Sequence, residues 1–237
     1  MDSNNHRARR QRIYENLEDG EALILFAGSS PRKSADANYR FFANRNFHYL
    51  TGILQAESVF LAAKTGGGVE ETLFVHKKDP MAERWNGYRL SPEEASEHSG
   101  IEKVSDLDQL DRLLKGLLES GAVSGLWYDF DKYDAGRGDA AHNRHSASIQ
   151  SAFPFVSFKN AYPAICAART IKDARELSHI REAMDITRDG IHAMMKAARA
   201  GMREYQLEAV FNKVLADAGV RESAFASIIS SGRNNFY

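Results

Sequence analysis

Residues 22–27 form an unbroken apolar run that stops abruptly at Gly28-Ser29-Ser30-Pro31. A run this short, closed by turn residues, reads as a strand buried on both faces rather than a helix with one wet side. Three more short apolar or β-prone segments follow at 47–51, 58–64 and 71–77. Gly52 separates the first two and Gly66-Gly67-Gly68 the last two, so the spacing predicts consecutive strands joined by tight turns. Residues 125–130 make a further strand candidate. Helices are predicted around these strands. Residues 7–17 read as a basic amphipathic helix closed at Gly20. Over 106–120, Leu107, Leu110, Leu113, Leu114, Leu117 and Leu118 fall at helical spacing before Gly121, and 133–153 carries a weak, Ala-rich helical face.

The pattern changes after Pro154, and 161–218 shows almost no strand signal. Asp173 and Glu176 have capping-box spacing, in which each side chain satisfies a free N–H at the start of a helix. Leu177, Ile180, Met184, Ile191, Met194 and Met195 then recur along one face of a long helix ending near Gly201. A second helix over 205–218 stops at Gly219, and 224–230 again looks strand-like. These signals predict a mixed α/β domain, a boundary within 155–170, and the helical opening of a second domain. The chain finishes Ser231-Gly232-Arg233-Asn234-Asn235-Phe236-Tyr237, a turn running into two aromatics. One helix pair and one strand do not close a sheet, which favours a second domain cut short over a small, complete α+β appendage. The apolar face of the long helix, with no sheet to cover it, predicts that 161–237 is poorly packed or pairs with another copy.

Composition sets outer bounds. At roughly 100–200 residues per domain, 237 residues allow one and a half to two domains. A net charge of -1 provides no basic face for nucleic acid. The single cysteine, Cys166, excludes an internal disulfide framework and any multi-cysteine metal site. No apolar run approaches a membrane span, and the polar, Arg-rich start is no secretory signal. A soluble cytoplasmic chain is expected.

Few residues carry chemistry. No HExxH helix, GxSxG elbow or P-loop occurs. Gly66-Gly67-Gly68 precedes a strand, so it reads as a hairpin turn rather than a phosphate cradle. Asp129, Asp131 and Asp134 lack the glycine and third ligand of a calcium loop and read as a solvated acidic turn. Asp139, His142 and His145 share a helix face, but three ligands from one turn are a thin metal site, and a polar face is the expectation. Arg137-Gly138-Asp139 is read as a chance tripeptide and Cys166 as a small buried hydrophobe. Two aromatic segments stand out: 46–52, and 83–90 with Trp85, Tyr88, Arg84 and Arg89. Trp and Arg on a short exposed segment suit an interface or ligand rim, unless Trp85 folds back onto the core.

These segments resemble the Xaa-Pro aminopeptidase (aminopeptidase P) family of the creatinase/methionine-aminopeptidase superfamily. Phe47-His48-Tyr49-Leu50-Thr51-Gly52, with Glu57 following, is similar to its aromatic-rich F-x-Y-L-T-G strand. Glu83-Arg84-Trp85-Asn86-Gly87-Tyr88-Arg89-Leu90 is similar to its W-x-G-x-R segment. Arg169-Thr170-Ile171-Lys172, Gly201-Met202-Arg203-Glu204 and Ile228-Ile229-Ser230-Ser231-Gly232-Arg233-Asn234 resemble the R-x-x-K linker, the G-x-x-E turn and the I-V-x-S-G-x-N strand. The resemblance covers residues 10–237 in family order.

The resemblance implies an α/β fold: a creatinase-like N-terminal mixed sheet flanked by helices over 1–165, then an incomplete α+β pita-bread domain over 166–237. It implies a parent enzyme that removes an N-terminal residue preceding proline with two divalent metals, manganese in the usual case. The family's metal ligands fall beyond residue 237, so no catalytic or metal-binding residue is carried over, and the chain alone is expected to be inactive. What carries over is substrate-binding. Trp85 matches a tryptophan that reaches into a neighbouring subunit's active site in oligomeric relatives, Arg89 flanks it, and Phe225 matches an aromatic of the pita-bread pocket. The implied partners are a proline-containing peptide and further copies in a dimer or tetramer, with no nucleic acid and no membrane. The same absences suit a non-catalytic oligomerisation or substrate-rim module, or a fragment of a prolidase- or creatinase-like relative.

Overall fold

The computed structural model describes residues 3–131 and 140–236; Tyr133, Asp134, the Arg137-Gly138-Asp139 tripeptide and Tyr237 lie outside the described residues. The chain divides into two compact units, Met1–Thr170 and Ile171–Tyr237. Residues 165 and 166, where the sequence places the boundary, lie inside helix α7 (Tyr162–Thr170), whose Ile165 is buried in the first unit.

The first unit is built on a six-stranded mixed sheet, ordered β4-β3-β2-β1-β5-β6. Its strands are β1 (Glu21–Phe26), β2 (Val59–Thr65), β3 (Gly68–Val75), β4 (Val104–Asp106), β5 (Gly125–Tyr128) and β6 (Ser157–Asn160). β1, β2 and β3 form an antiparallel meander, and the other three neighbours pair parallel. The β2–β3 turn uses Gly66 and Gly67, both at positive φ (60° and 80°), the geometry a tight hairpin turn needs. Each strand of the meander alternates its side chains between two cores, which explains the unbroken apolar run at β1. Leu23, Leu25, Phe60 and Leu73 pack with α1 (Ser3–Tyr14), α2 (Arg45–Thr51), α4 (Pro92–Ser99) and α7 on one face. Ala22, Ile24, Leu61 and Phe74 pack on the other with α5 (Leu110–Glu119) and α6 (Ala141–Ala152), through Leu114, Leu118 and Ile149.

Residues 47–51 are helical, not a strand. The Asn44 side chain accepts from the Asn46 and Phe47 N–H groups (2.8 and 2.9 Å), capping the start of α2. Gly52, at φ 71°, closes its end through a bond from its N–H to the His48 carbonyl. Caps at both ends outweigh the β-propensity of Phe47, Tyr49 and Thr51.

α1 buries three polar side chains that a basic surface helix would leave wet. Arg10 is fully buried, and all five of its guanidinium N–H groups have acceptors. Nε and Nη2 grip the Glu71 carboxylate at 2.9 and 3.1 Å, Nη1 donates to the Leu50 and Ser99 carbonyls at 2.9 Å each, and Nη2 reaches the Gly100 carbonyl. The Tyr14 hydroxyl donates to Glu71 Oε1 at 2.6 Å, and burial pushes its pKa upward. His6 Nδ1 donates to the Tyr49 carbonyl at 3.0 Å, so its lone pair sits on Nε2; burial lowers its pKa to about 4.

In the second unit, α8 (Ala174–Ala197) opens with the expected Asp173–Glu176 capping box. It packs against α9 (Glu204–Asp217) where Gly190 meets Phe211, and a Cβ at 190 would lie 2.5 Å from the Phe211 ring. Residues 224–230, expected as a strand, are irregular: among the described residues of this unit no other strand offers a ladder partner. Only Gly190 and Leu215 are buried among those residues, and Ile180, Met184 and Met195 on α8 stand exposed.

Candidate functional site

The aromatic segment around Trp85 is carried by a short helix, α3 (Pro80–Asn86). Asp79 caps its start, accepting from the Met81 and Ala82 N–H groups, and Pro80 pre-sets the first helical φ. Trp85 does not fold back: it is 86 % exposed and borders an open groove of ≈ 920 Å³. Leu54, Glu57, His76, Tyr88 and Arg89 line the same groove. Arg89 is tied to the protein backbone, its Nη1 donating to the Lys77 carbonyl at 2.8 Å. The Tyr88 hydroxyl donates to the Glu94 carboxylate and accepts from Lys78 Nζ at 2.8 Å, and Lys78 lies over the Tyr88 ring. The Ser91 backbone bond, reinforced by Tyr88, holds the Glu94 carboxyl below the usual carboxylate range. Across the groove Glu57 pairs with His76. Glu57 is the one non-glycine residue at positive φ (63°) among the described residues, held there by a bond from its N–H to the Gly28 carbonyl.

Phe225 lies in the other unit, where it is exposed and lines an apolar groove of ≈ 790 Å³ with Ile186, Met194, Phe211 and Ile228. Trp85 and Arg89 thus share one groove of the first unit, and Phe225 lines another groove in the second.

The remaining chemical candidates are structural. Asp129 is buried, not a solvated turn. Its oxygens accept from Asn46 Nδ2 (2.8 Å) and Asn44 Nδ2 (3.1 Å), while Arg169 Nη1 donates to Asn46 Oδ1 (2.6 Å). Burial raises the Asp129 pKa, and the two amides offset part of that rise. His142 and His145 form no polar surface: His142 is buried edge-on to Phe130, and His145 packs on Phe26 with Nδ1 2.8 Å from the Tyr128 hydroxyl. Burial lowers the His145 pKa and keeps the ring neutral. Their third candidate ligand, Asp139, lies outside the described residues. Cys166 is half-buried on α7. Among the described residues no group of three or more His, Cys, Asp or Glu is placed to hold a metal ion. Nor is any described helix long and apolar enough to cross a membrane.

The family model "Aminopeptidase P, N-terminal domain" matches residues 6–126, just over half of the chain. The chain belongs to the aminopeptidase P family. A second model, "Metallopeptidase family M24", matches residues 178–236. The Xaa-Pro aminopeptidase of Escherichia coli is 27% identical over 228 residues, covering 95% of this chain and 52% of its own length. The chain spans about half the length of the curated relatives it matches. Among solved structures, a Bacillus anthracis protein assigned as an aminopeptidase P is 38% identical with a TM-score of 0.94, over 99% of this chain and 56% of that one. Zinc-substituted E. coli aminopeptidase P in complex with product is 24% identical and shares the fold, with a TM-score of 0.80 over 93% and 51%.

Within the aminopeptidase P fold, sequence reading singles out Trp85 and Arg89 but misses what surrounds them. Gln55 and Glu83 reach the backbone just after Trp85: Gln55 Oε1 accepts from the Leu90 N–H at 2.7 Å and Glu83 Oε1 from the Arg89 N–H at 2.8 Å. The Glu83 bond spans six residues and the Gln55 bond 35, so only the first had a local signal.

Proposed function

We propose that this chain corresponds to the N-terminal half of an Xaa-Pro aminopeptidase, one that removes an N-terminal residue preceding proline by dinuclear-metal hydrolysis. Residues 1–165 are the aminopeptidase P N-terminal domain on this reading, and 166–237 begin the metallopeptidase domain. The observation that carries it is the pairing of the two family matches, in order, with a fully presented Trp85 on a braced arm. A proline ring and a short peptide favour aromatic walls, and Trp85, Arg89 and Phe225 would supply parts of that wall. Trp85 would serve a neighbouring copy in a cytoplasmic homo-oligomer. Two divalent metals, manganese by family resemblance, would polarise the scissile carbonyl and activate a water. On this reading the chain contributes wall and scaffold to that chemistry and is inactive alone.

Two assays test the reading. The chain with manganese and an Xaa-Pro peptide should release no free residue; turnover would refute its inactivity. A chimera joining the chain to the C-terminal half of the E. coli relative should release the N-terminal residue from Xaa-Pro peptides. A folded, metal-loaded chimera that cleaves other N-termini equally well would refute the proline specificity.

A further inference from the structure

We propose that Glu83 and Gln55 are positioning residues that hold Trp85 in place by capturing the consecutive backbone N–H groups of Arg89 and Leu90. α3 is seven residues long and has no buried residue, and both Met81 and Trp85 project into solvent. A helix that short has no stability of its own in water, and no apolar burial compensates. Polar clamps at its exit therefore decide whether Trp85 has a fixed direction. After Asn86 the chain passes through Gly87 at φ 89° and ψ 174°, a conformation open essentially to glycine alone, and reverses alongside the helix. Glu83 Oε1 then takes the Arg89 N–H, locking this exit to α3 itself. Gln55 Oε1 takes the next N–H, at Leu90, locking the exit to the segment after α2, whose Ile53 is fully buried. Arg89 Nη1 closes the entry side through the Lys77 carbonyl. Using Oε1 in this way leaves Gln55 Nε2 buried without a hydrogen-bond partner, an unfavourable state that the fold retains along with the Leu90 bond.

The consequence for substrate rests on the role proposed above for Trp85; the brace itself does not. The chain has two tryptophans, Trp85 and Trp127, so 5-fluorotryptophan labelling gives two fluorine resonances, assigned with W85F. E83A and Q55A should each sharpen the Trp85 resonance toward the width of a freely rotating side chain. The Trp127 resonance should stay unchanged in both, reporting an intact sheet. E83Q, which keeps the acceptor oxygen, should retain the broad Trp85 line. An unchanged Trp85 line in both alanine variants, with Trp127 native, would overturn the brace, as would equal sharpening in E83Q and E83A. In the chimera, E83A should raise KM for an Xaa-Pro peptide in the same direction as W85A. A loosened Trp85 with unchanged KM would uphold the brace and overturn the substrate role.

Discussion

Gly52 is where conformation and packing demand glycine together. Its φ of 71° costs a residue with a Cβ about 1–2 kcal/mol. A Cβ there would also lie 2.6 Å from His6 Nε2 and 3.0 Å from Cδ2. The His6 ring cannot swing clear, because it is buried and its other nitrogen is bonded to the Tyr49 carbonyl. Forcing extra volume into such a site adds about 1–3 kcal/mol, so Gly52→Ala should cost about 2–5 kcal/mol in total. The two parts separate in a double-mutant cycle. With His6→Ala in the background the clash disappears and only the backbone part, about 1–2 kcal/mol, should remain. Urea unfolding followed by Trp127 emission in a Trp85→Phe background reads the first unit alone, and an unchanged m-value confirms that stability rather than compactness has moved. If Gly52→Ala costs the same with and without the His6 ring, the close approach plays no part and the reasoning fails.

Three other outcomes are expected. Arg10→Ala leaves the Glu71 carboxylate and three carbonyls without their guanidinium donor, and should cost about 3–5 kcal/mol, with Arg10→Lys recovering only part; a loss below about 1 kcal/mol by urea titration contradicts this. His6 titrates near 6.5 unfolded but at about 4 folded, so between those pH values the unfolded chain binds more protons. Its stabilising contribution is complete above pH 6.5 and is lost as pH falls toward 4. Comparing pH-stability curves checks it, since His6→Asn, which keeps a donor for Tyr49, should flatten that slope and a parallel curve would rule it out. Trp85→Ala should change stability by no more than about 0.5 kcal/mol, because the side chain is exposed; a larger drop in melting temperature than that allows would mean Trp85 packs in solution.

The strands of the meander and β5 were legible because their apolar runs are long enough to fill two cores and are punctuated by glycine. β4 and β6 were not: as edge strands of three and four residues, they carry too little apolar pattern to stand out. α2 was misread because so short a segment, with aromatics at alternate positions, fits either period, and the deciding signals, Asn44 and Gly52, sit outside it. Segment 224–230 failed for the opposite reason: β-propensity without a partner makes no strand. Arg10 shows the limit on charged residues, since its burial depends on Glu71, 61 residues away. The same holds for the candidate site. Trp85 announces itself by composition, but its supports at Glu83 and Gln55 are ordinary polar residues until the fold brings them to the Arg89 and Leu90 backbone.

The position of β1 between β2 and β5 bears on synthesis. β2 and β3 follow β1 closely enough to pair as they leave the ribosome, but β1's other edge must wait for β5, about a hundred residues later. At roughly 5–20 residues per second, that edge stays open for about 5–20 s during every round of translation. Its backbone groups and Leu23 to Phe26 are then available to any passing strand, including the same segment on a neighbouring nascent chain. Slowing elongation before residue 125 should therefore lower the soluble yield, and speeding it should raise it.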